Sequence, residues 1–240
     1  MNNTPAAAPR IGFDRCIPLD WATCALKVRA GAADPQVIDT LLDAAGFGMP
    51  SKRNTRSVLN GLWLNPRAEL VAFAERGLGL WQEFPEVPVP ALCWGMAITA
   101  YPFFGKVAEL VGRLTTIQGD CTAAEIHRRL AETYGEGEVT RRAANRVLQT
   151  QASWGTCERV DKGRRVIRNP ATSITDEALI AWLIEAAIRY TGRAISVSGL
   201  ASAAVLYPFR LDHSLTLVVS RSPTLELRSE GSGSPLVMLQ

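Results

Sequence analysis

Little in this chain speaks for catalysis or metal binding. It has two histidines, His127 and His213, and five cysteines (Cys16, Cys24, Cys93, Cys121, Cys157) with no C-x-x-C spacing. A structural zinc site needs about four such ligands in clustered pairs, and this set does not supply them. No G-x-x-x-x-G-K-[ST] phosphate loop, G-x-G-x-x-G turn or G-x-S-x-G elbow occurs. Nucleotide-driven, dinucleotide-dependent and serine-hydrolase chemistries therefore lack their usual scaffolds. Ser198-Gly199 and Ser232-Gly233 are isolated loop serines, and Asp39 with Asp43 reads as ordinary helix-surface charge. The expectation is a protein that is not an enzyme, with no catalytic residues, no cofactor and no metal.

Long apolar runs are also missing. The most apolar window, Ala178–Ile188, is shorter than a membrane span and carries Glu185, so it suits a buried helix better. The opening MNNTPAAAPRIGFD has no apolar core of the secretory type. An odd number of scattered cysteines fits free thiols in a reducing compartment. These features predict a soluble, cytoplasmic chain with no membrane partner.

What is present is an ordinary folding composition. Hydrophobic residues make up 47% of the 240 and charged residues 20%, which argues against general disorder. The net charge of +3 is too small to name a nucleic-acid partner, so the placement of the charge has to decide.

Taken in order, residues 1–11 look loose. Helices are predicted over Pro18–Ala30 and from Asp34-Pro35 to Ala45, where Val37, Ile38, Leu41, Leu42 and Ala45 recur at helical spacing. Ser51–Arg56 reads as a basic turn leading into Ser57–Leu64. Asn65-Pro66 then breaks the chain, and a helix is expected from Pro66 to about Trp81. Glu83–Pro90 holds three prolines, Pro85, Pro88 and Pro90, and is the best candidate for an internal boundary. Helices over Ala91–Ala100 and Phe103–Thr116 should follow.

The most specific stretch is Thr122–Arg168. Thr122 and Glu125 form a capping box at a helix start, and Ile126, Leu130 and Tyr134 form an inward stripe. Gly135-Glu136-Gly137 is a turn. A second helix should run from about Val139 to Trp154, with Ala143, Ala144, Val147 and Leu148 inside. Arg142, Asn145, Arg146, Gln149 and Ser153 then lie outside. Beyond Gly155 come two short strands, Thr156–Val160 and Arg164–Arg168, joined by Asp161-Lys162-Gly163. Helix, turn, helix and basic hairpin is the order of a winged helix-turn-helix.

Charge concentrates in the same place. Between Val139 and Arg168 there are eight basic residues against two acidic ones, a local +6 in a chain of +3, so the remainder carries −3. Basicity gathered on one helix and one hairpin is an electrostatic footprint for nucleic acid. Arginine can pair with guanine, and Asn or Gln with adenine. On that chemistry Arg142, Asn145, Arg146 and Gln149 are candidates for a DNA major groove. Arg141, Lys162, Arg164 and Arg165 are candidates for phosphates or a minor groove.

In the last third, Ser173 or Asp176 can cap an almost wholly apolar helix to about Tyr190. Gly192–Ser198 reads as a loop, Gly199–Leu206 as a short helix, and Ser214–Ser220 as a strand paired with Thr224–Arg228. After the Gly231–Gly233 break, Pro235–Leu239 reads as a third strand. The tail looks like a second helix-plus-hairpin arrangement without a basic helix.

The segment from Pro102 to Gly155 resembles winged helix-turn-helix proteins. The Ser51–Ser57 basic stretch, the Pro102-Phe103-Phe104 helix start and the Arg-rich Arg141–Arg146 helix together resemble the small BrxA-like proteins of bacterial phage-defence (BREX-type) islands. That resemblance implies a non-catalytic, DNA-binding accessory protein of a multi-gene antiviral system. The expected architecture is mainly α: a helical N-terminal region (1–84), a winged helix-turn-helix (91–170), and a C-terminal helix with a β-hairpin region (171–240). The expected partner is double-stranded DNA. The alternative is a structural subunit whose winged unit binds other subunits of a multi-protein complex.

Overall fold

A computed structural model describes residues 9–84, 86–229 and 234–240. Most of the expected loose opening stretch (residues 1–8), Pro85 of the proline-rich connector, and the Gly231–Gly233 break lie outside the described residues. The chain is mainly helical with small sheets. No helix of the described residues is long and apolar enough to cross a membrane.

The first half is a helical layer: α1 (Leu19–Arg29), α2 (Gln36–Ala44), α3 (Met49–Leu59), α4 (Val71–Glu83) and α5 (Val89–Ala100). The basic stretch Ser51–Arg56 is not a turn but the body of α3. Asp39 and Asp43 sit four apart on α2, and Lys52 and Arg56 sit four apart on α3. Lys52 pairs with Asp43 and Arg56 with Asp39. Thr55, Val58 and Leu59 turn inward. Proline in the first turn and this charge match favour the helix. α3 runs on into a π-helical turn, Asn60–Leu64, that buries Leu62 and Trp63. The helix expected from Pro66 starts later: a 3-10 turn over Ala68–Leu70 precedes Val71.

α5 is the axle of the fold, buried on every side from Ala91 to Ala100. It crosses a second largely apolar helix, α9 (Glu177–Thr191), at Gly95. A methyl at Gly95 would lie 2.1 Å from the Trp182 ring, so only glycine permits this approach. Trp182 also stacks on Phe73 with ring centroids 4.4 Å apart and donates to the Phe73 carbonyl at 3.0 Å.

The central stretch comprises α6 (Pro102–Gln118), β1 (Asp120–Thr122), α7 (Ala123–Tyr134), α8 (Glu138–Ser153), β2 (Cys157–Val160) and β3 (Arg165–Arg168). The strands form one antiparallel sheet in the order β1-β3-β2. Strand β1, three residues long, is too short to show any alternation in the sequence. The central unit thus runs helix–strand–helix–helix–strand–strand, with β3 between β1 and β2.

The rest of the chain adds β4 (Thr172–Ile174), α9, β5 (Ile195–Ser196), α10 (Val197–Ala201), β6 (Phe209–Leu211), α11 (Leu215–Arg221), β7 (Leu225–Arg228) and β8 (Leu236–Leu239). Two expectations are corrected here. Ser214–Ser220 is a helix, not a strand, because Leu215, Val218 and Val219 bury one helical face; tertiary burial outweighs the β-branched propensity. Strand β7 therefore pairs with β8, and β8 with β5, in the order β5-β8-β7. The stretch Gly192–Ser198, expected as a loop, holds β5 and the start of α10, capped by Ser196.

The run α9-β5-α10-α11-β7-β8 thus repeats the topology of α6-β1-α7-α8-β2-β3. Between α10 and α11 the second unit carries an insertion, residues 202–214, that packs onto the first. Its β6 pairs in parallel with β4. Trp94 Nε1 donates to the Val205 carbonyl at 2.9 Å, and the buried Tyr207 hydroxyl donates to Gln151 Oε1 at 3.1 Å. One continuous apolar core runs from Phe13 to Val237.

Candidate nucleic-acid interface

Helix α7 starts where its capping box places it. Glu125 N donates to Thr122 Oγ1 at 3.1 Å, and Thr122 N donates to Glu125 Oε2 at 2.8 Å. The Thr122 N–H, and then the Thr122 hydroxyl donating to the same oxygen at 2.9 Å, hold the Glu125 carboxyl below its ordinary range. Gly135 leaves the helix at φ +81°. Thr140, Ala143, Ala144, Val147, Leu148 and Gln151 bury one side of α8. The opposite face presents Arg141, Arg142 and Arg146 exposed, with Asn145 and Gln149 half-buried among them.

The β2–β3 hairpin is tied to that face by a residue that reads from the sequence only as charge. Arg159 on β2 donates through Nη2 to Asn145 Oδ1 at 3.3 Å and to the Gly163 carbonyl at 3.2 Å. Burial holds its guanidinium below the ordinary range. The hairpin tip is tight: Asp161, Lys162 and Gly163 all take left-handed φ, at 52°, 57° and 81°. A side chain at Gly163 would also meet the Arg159 guanidinium, 2.6 Å from the nearest atom. Arg159 thus closes the hairpin tip and clamps it to α8.

On another flank of α8 the chain leading into α1 is fastened at Ile17. Ile17 N donates to Thr150 Oγ1 at 3.0 Å, and Trp154 Nε1 donates to the Ile17 carbonyl at 2.9 Å. At 100° per residue, Asn145 and Thr150 stand about 140° apart around α8. Arg142, Arg146 and Gln149 lie in the open arc between them.

The eight candidate residues divide by their partners. Arg141 and Arg142 both lie 3.6 Å from Glu138, an acid just outside the basic stretch. Arg165 pairs with Asp120 and, at 3.4 Å, with Asp161. Arg146 donates to Gln149 Oε1 at 3.0 Å, and Arg164 to the Asp161 carbonyl at 3.3 Å. Arg146, Lys162 and Arg164 are exposed and enter no ion pair among the described residues. The local surplus is therefore partly neutralised in space, by Glu138 along the helix and by Asp120 across the sheet. The carbonyl ends of Asn145 and Gln149 are already engaged, so pairing either amide with adenine requires sharing or releasing an arginine.

Two further features were not anticipated. Val139 stands 63% exposed in the first turn of α8, an apolar group beside the basic face. Half-buried His127 on α7 has an Nε2 without a hydrogen-bond partner among the described residues. Burial, then the nearby Arg141 and Arg159 charges, push its pKa down.

The chain matches no family model, no curated protein and no solved structure.

Proposed function

We propose that the protein is a non-catalytic, duplex-DNA-binding protein that lays α8 in a major groove and its wing on the neighbouring backbone or minor groove. The observation that carries this reading is the wing's attachment. Arg159 fixes a basic hairpin beside the arc that holds exposed Arg142 and Arg146, so helix and wing offer one continuous cationic surface. Arg146, Lys162 and Arg164 are its cations outside any ion pair among the described residues, and Arg141 and Arg142 join once DNA phosphates compete with Glu138. Because Asn145 and Gln149 are engaged, phosphate contacts should supply more of the affinity than base reading does.

Binding of a labelled duplex across salt concentrations tests the proposal. Each phosphate neutralised should steepen log K against log salt by about 0.9. Binding that is absent, or indifferent to salt, overturns it. By resemblance, the same reading extends to an accessory role in bacterial antiviral defence. Loss of phage resistance on deleting the gene would support that extension, and unchanged resistance would remove it.

A further inference from the structure

The cationic face extends beyond the winged unit, on the flank of α8 opposite the wing. The segment 11–17 runs alongside α8 in the same direction. Ile11, Gly12 and Asp14 share a shallow depression with Val139 at the start of α8, while Ile17 is bonded to Thr150 and Trp154 at its end. Gly12 turns the chain at φ +66°, with Phe13 N donating to the Ile11 carbonyl at 2.7 Å. Phe13 anchors the strap, packed edge-on against Tyr101 at 5.2 Å and tilted against Phe104 at 5.1 Å.

Helix α3 reaches the same place, since Asn54 and Ser57 line that depression too. Arg53 precedes Asn54 and lies one helical turn from Ser57, on the exposed side. Its neighbours Lys52 and Arg56 are held by Asp43 and Asp39, whereas Arg53 enters no ion pair among the described residues. Arg10, one residue before Ile11, is also exposed and unpaired among them. The acid at this end, Asp14, lies 3.7 Å from Arg15.

We infer that Arg10 and Arg53 form a second phosphate-contacting edge, gripping the backbone on the far side of the groove from the wing. This rests on the DNA-binding reading above. It makes the interface three-part: strap and α3, then α8, then wing. A helix seated in a major groove has a phosphate strand on each side. The wing meets one, and Arg10 with Arg53 stand where the other passes.

The test compares duplex affinity of wild type, Arg10→Ala/Arg53→Ala, Arg142→Ala/Arg146→Ala and a control, Arg193→Ala/Arg228→Ala, that removes equal charge from exposed positions of the second unit. All four are checked by thermal melting. The Arg10/Arg53 variant should flatten the slope of log K against log salt by about 1.8, two phosphates at about 0.9 each, while the control keeps the wild-type slope. If the Arg142/Arg146 variant loses binding but the Arg10/Arg53 variant behaves as wild type, the second edge is wrong and the winged-unit reading stands. Equal flattening in the control assigns the effect to net charge and overturns the inference. No salt-dependent binding by wild type overturns both readings.

Discussion

The central and C-terminal units share a topology and differ in the helix they present to solvent. In the first, three residues (135–137) join α7 to α8, and α8 is 16 residues long. In the second, residues 202–214 intervene and α11 is 7 residues long. The exposed side of α8 carries arginines; that of α11 carries Thr216, Leu217, Ser220 and Arg221, and Arg221 is bound to Glu177 at 3.0 Å. The first unit's insertion-free turn leaves α8 open to solvent. The second unit's insertion folds back onto α5 and α6 and fastens through Tyr207 to Gln151. One chain path thus supplies an open basic face once and a brace once, which separates fold from function.

The largest test of the brace is Glu185. This carboxylate is 1% exposed and accepts from Arg76 at 2.5 Å, Arg189 at 2.8 Å and Thr224 Oγ1 at 3.0 Å. It ties α4, α9 and the start of β7 together. Glu185→Ala leaves two partly buried guanidinium groups without their anion and should cost about 3 kcal/mol. Urea unfolding measures it; a change within error would show that the second unit does not depend on this junction.

Charge removal sharpens the contrast next. Arg142→Ala with Arg146→Ala should weaken duplex binding at least about tenfold. Arg221→Ala with Arg228→Ala should change it by less than about twofold, because surface charges away from the interface act only weakly. Fluorescence anisotropy at fixed salt reads both, and equal losses would mean that the second unit also touches DNA.

Helix caps give a smaller effect. Thr122→Ala should cost about 1 kcal/mol. Ser196, which caps the five-residue α10 by accepting from Gly199 N at 3.0 Å, has less helix to hold. Ser196→Ala should cost about half as much. A larger loss at Ser196 in thermal melts would reverse the ranking.

The smallest expected effect is in pH. His127 titrates lower in the folded chain than the ordinary imidazole value of about 6.5. The unfolded chain therefore binds the proton first. The contribution of this group to stability is complete above that value and is lost as pH falls through the lowered folded pKa. Stability measured from pH 7.5 to 5 should fall more steeply in wild type than in His127→Gln; parallel profiles would show that His127 carries none of the slope.

The legible parts of the fold were the local ones. Thr122 and Glu125 stand three apart, and Gly135 follows the last inward residue, so the start and stop of α7 could be read directly. The outward face of α8 followed from 3.6-residue spacing. The neutralising partners were not legible: Asp120 comes 45 residues before Arg165, and Arg159 reaches Asn145 across a turn and a strand. Nor was the strap, since Ile17 and Thr150 are 133 residues apart. Ser214–Ser220 misled because its β-branched residues favour a strand in isolation, whereas burial of Leu215, Val218 and Val219 requires a helix.

By itself the sequence determined the mainly helical class, the capped helix pair of the central unit and the concentration of basic residues on one helix and one hairpin. These depend on residues a few positions apart, whose spacing and chemistry act before any tertiary contact forms. Only the tertiary structure decided that the tail repeats the same topology, that Arg141, Arg142 and Arg165 stand beside carboxylates, and that Ile17 bonds to Thr150 and Trp154 at the end of α8. Those outcomes depend on pairings between distant segments, and such pairings follow from how the whole apolar core closes.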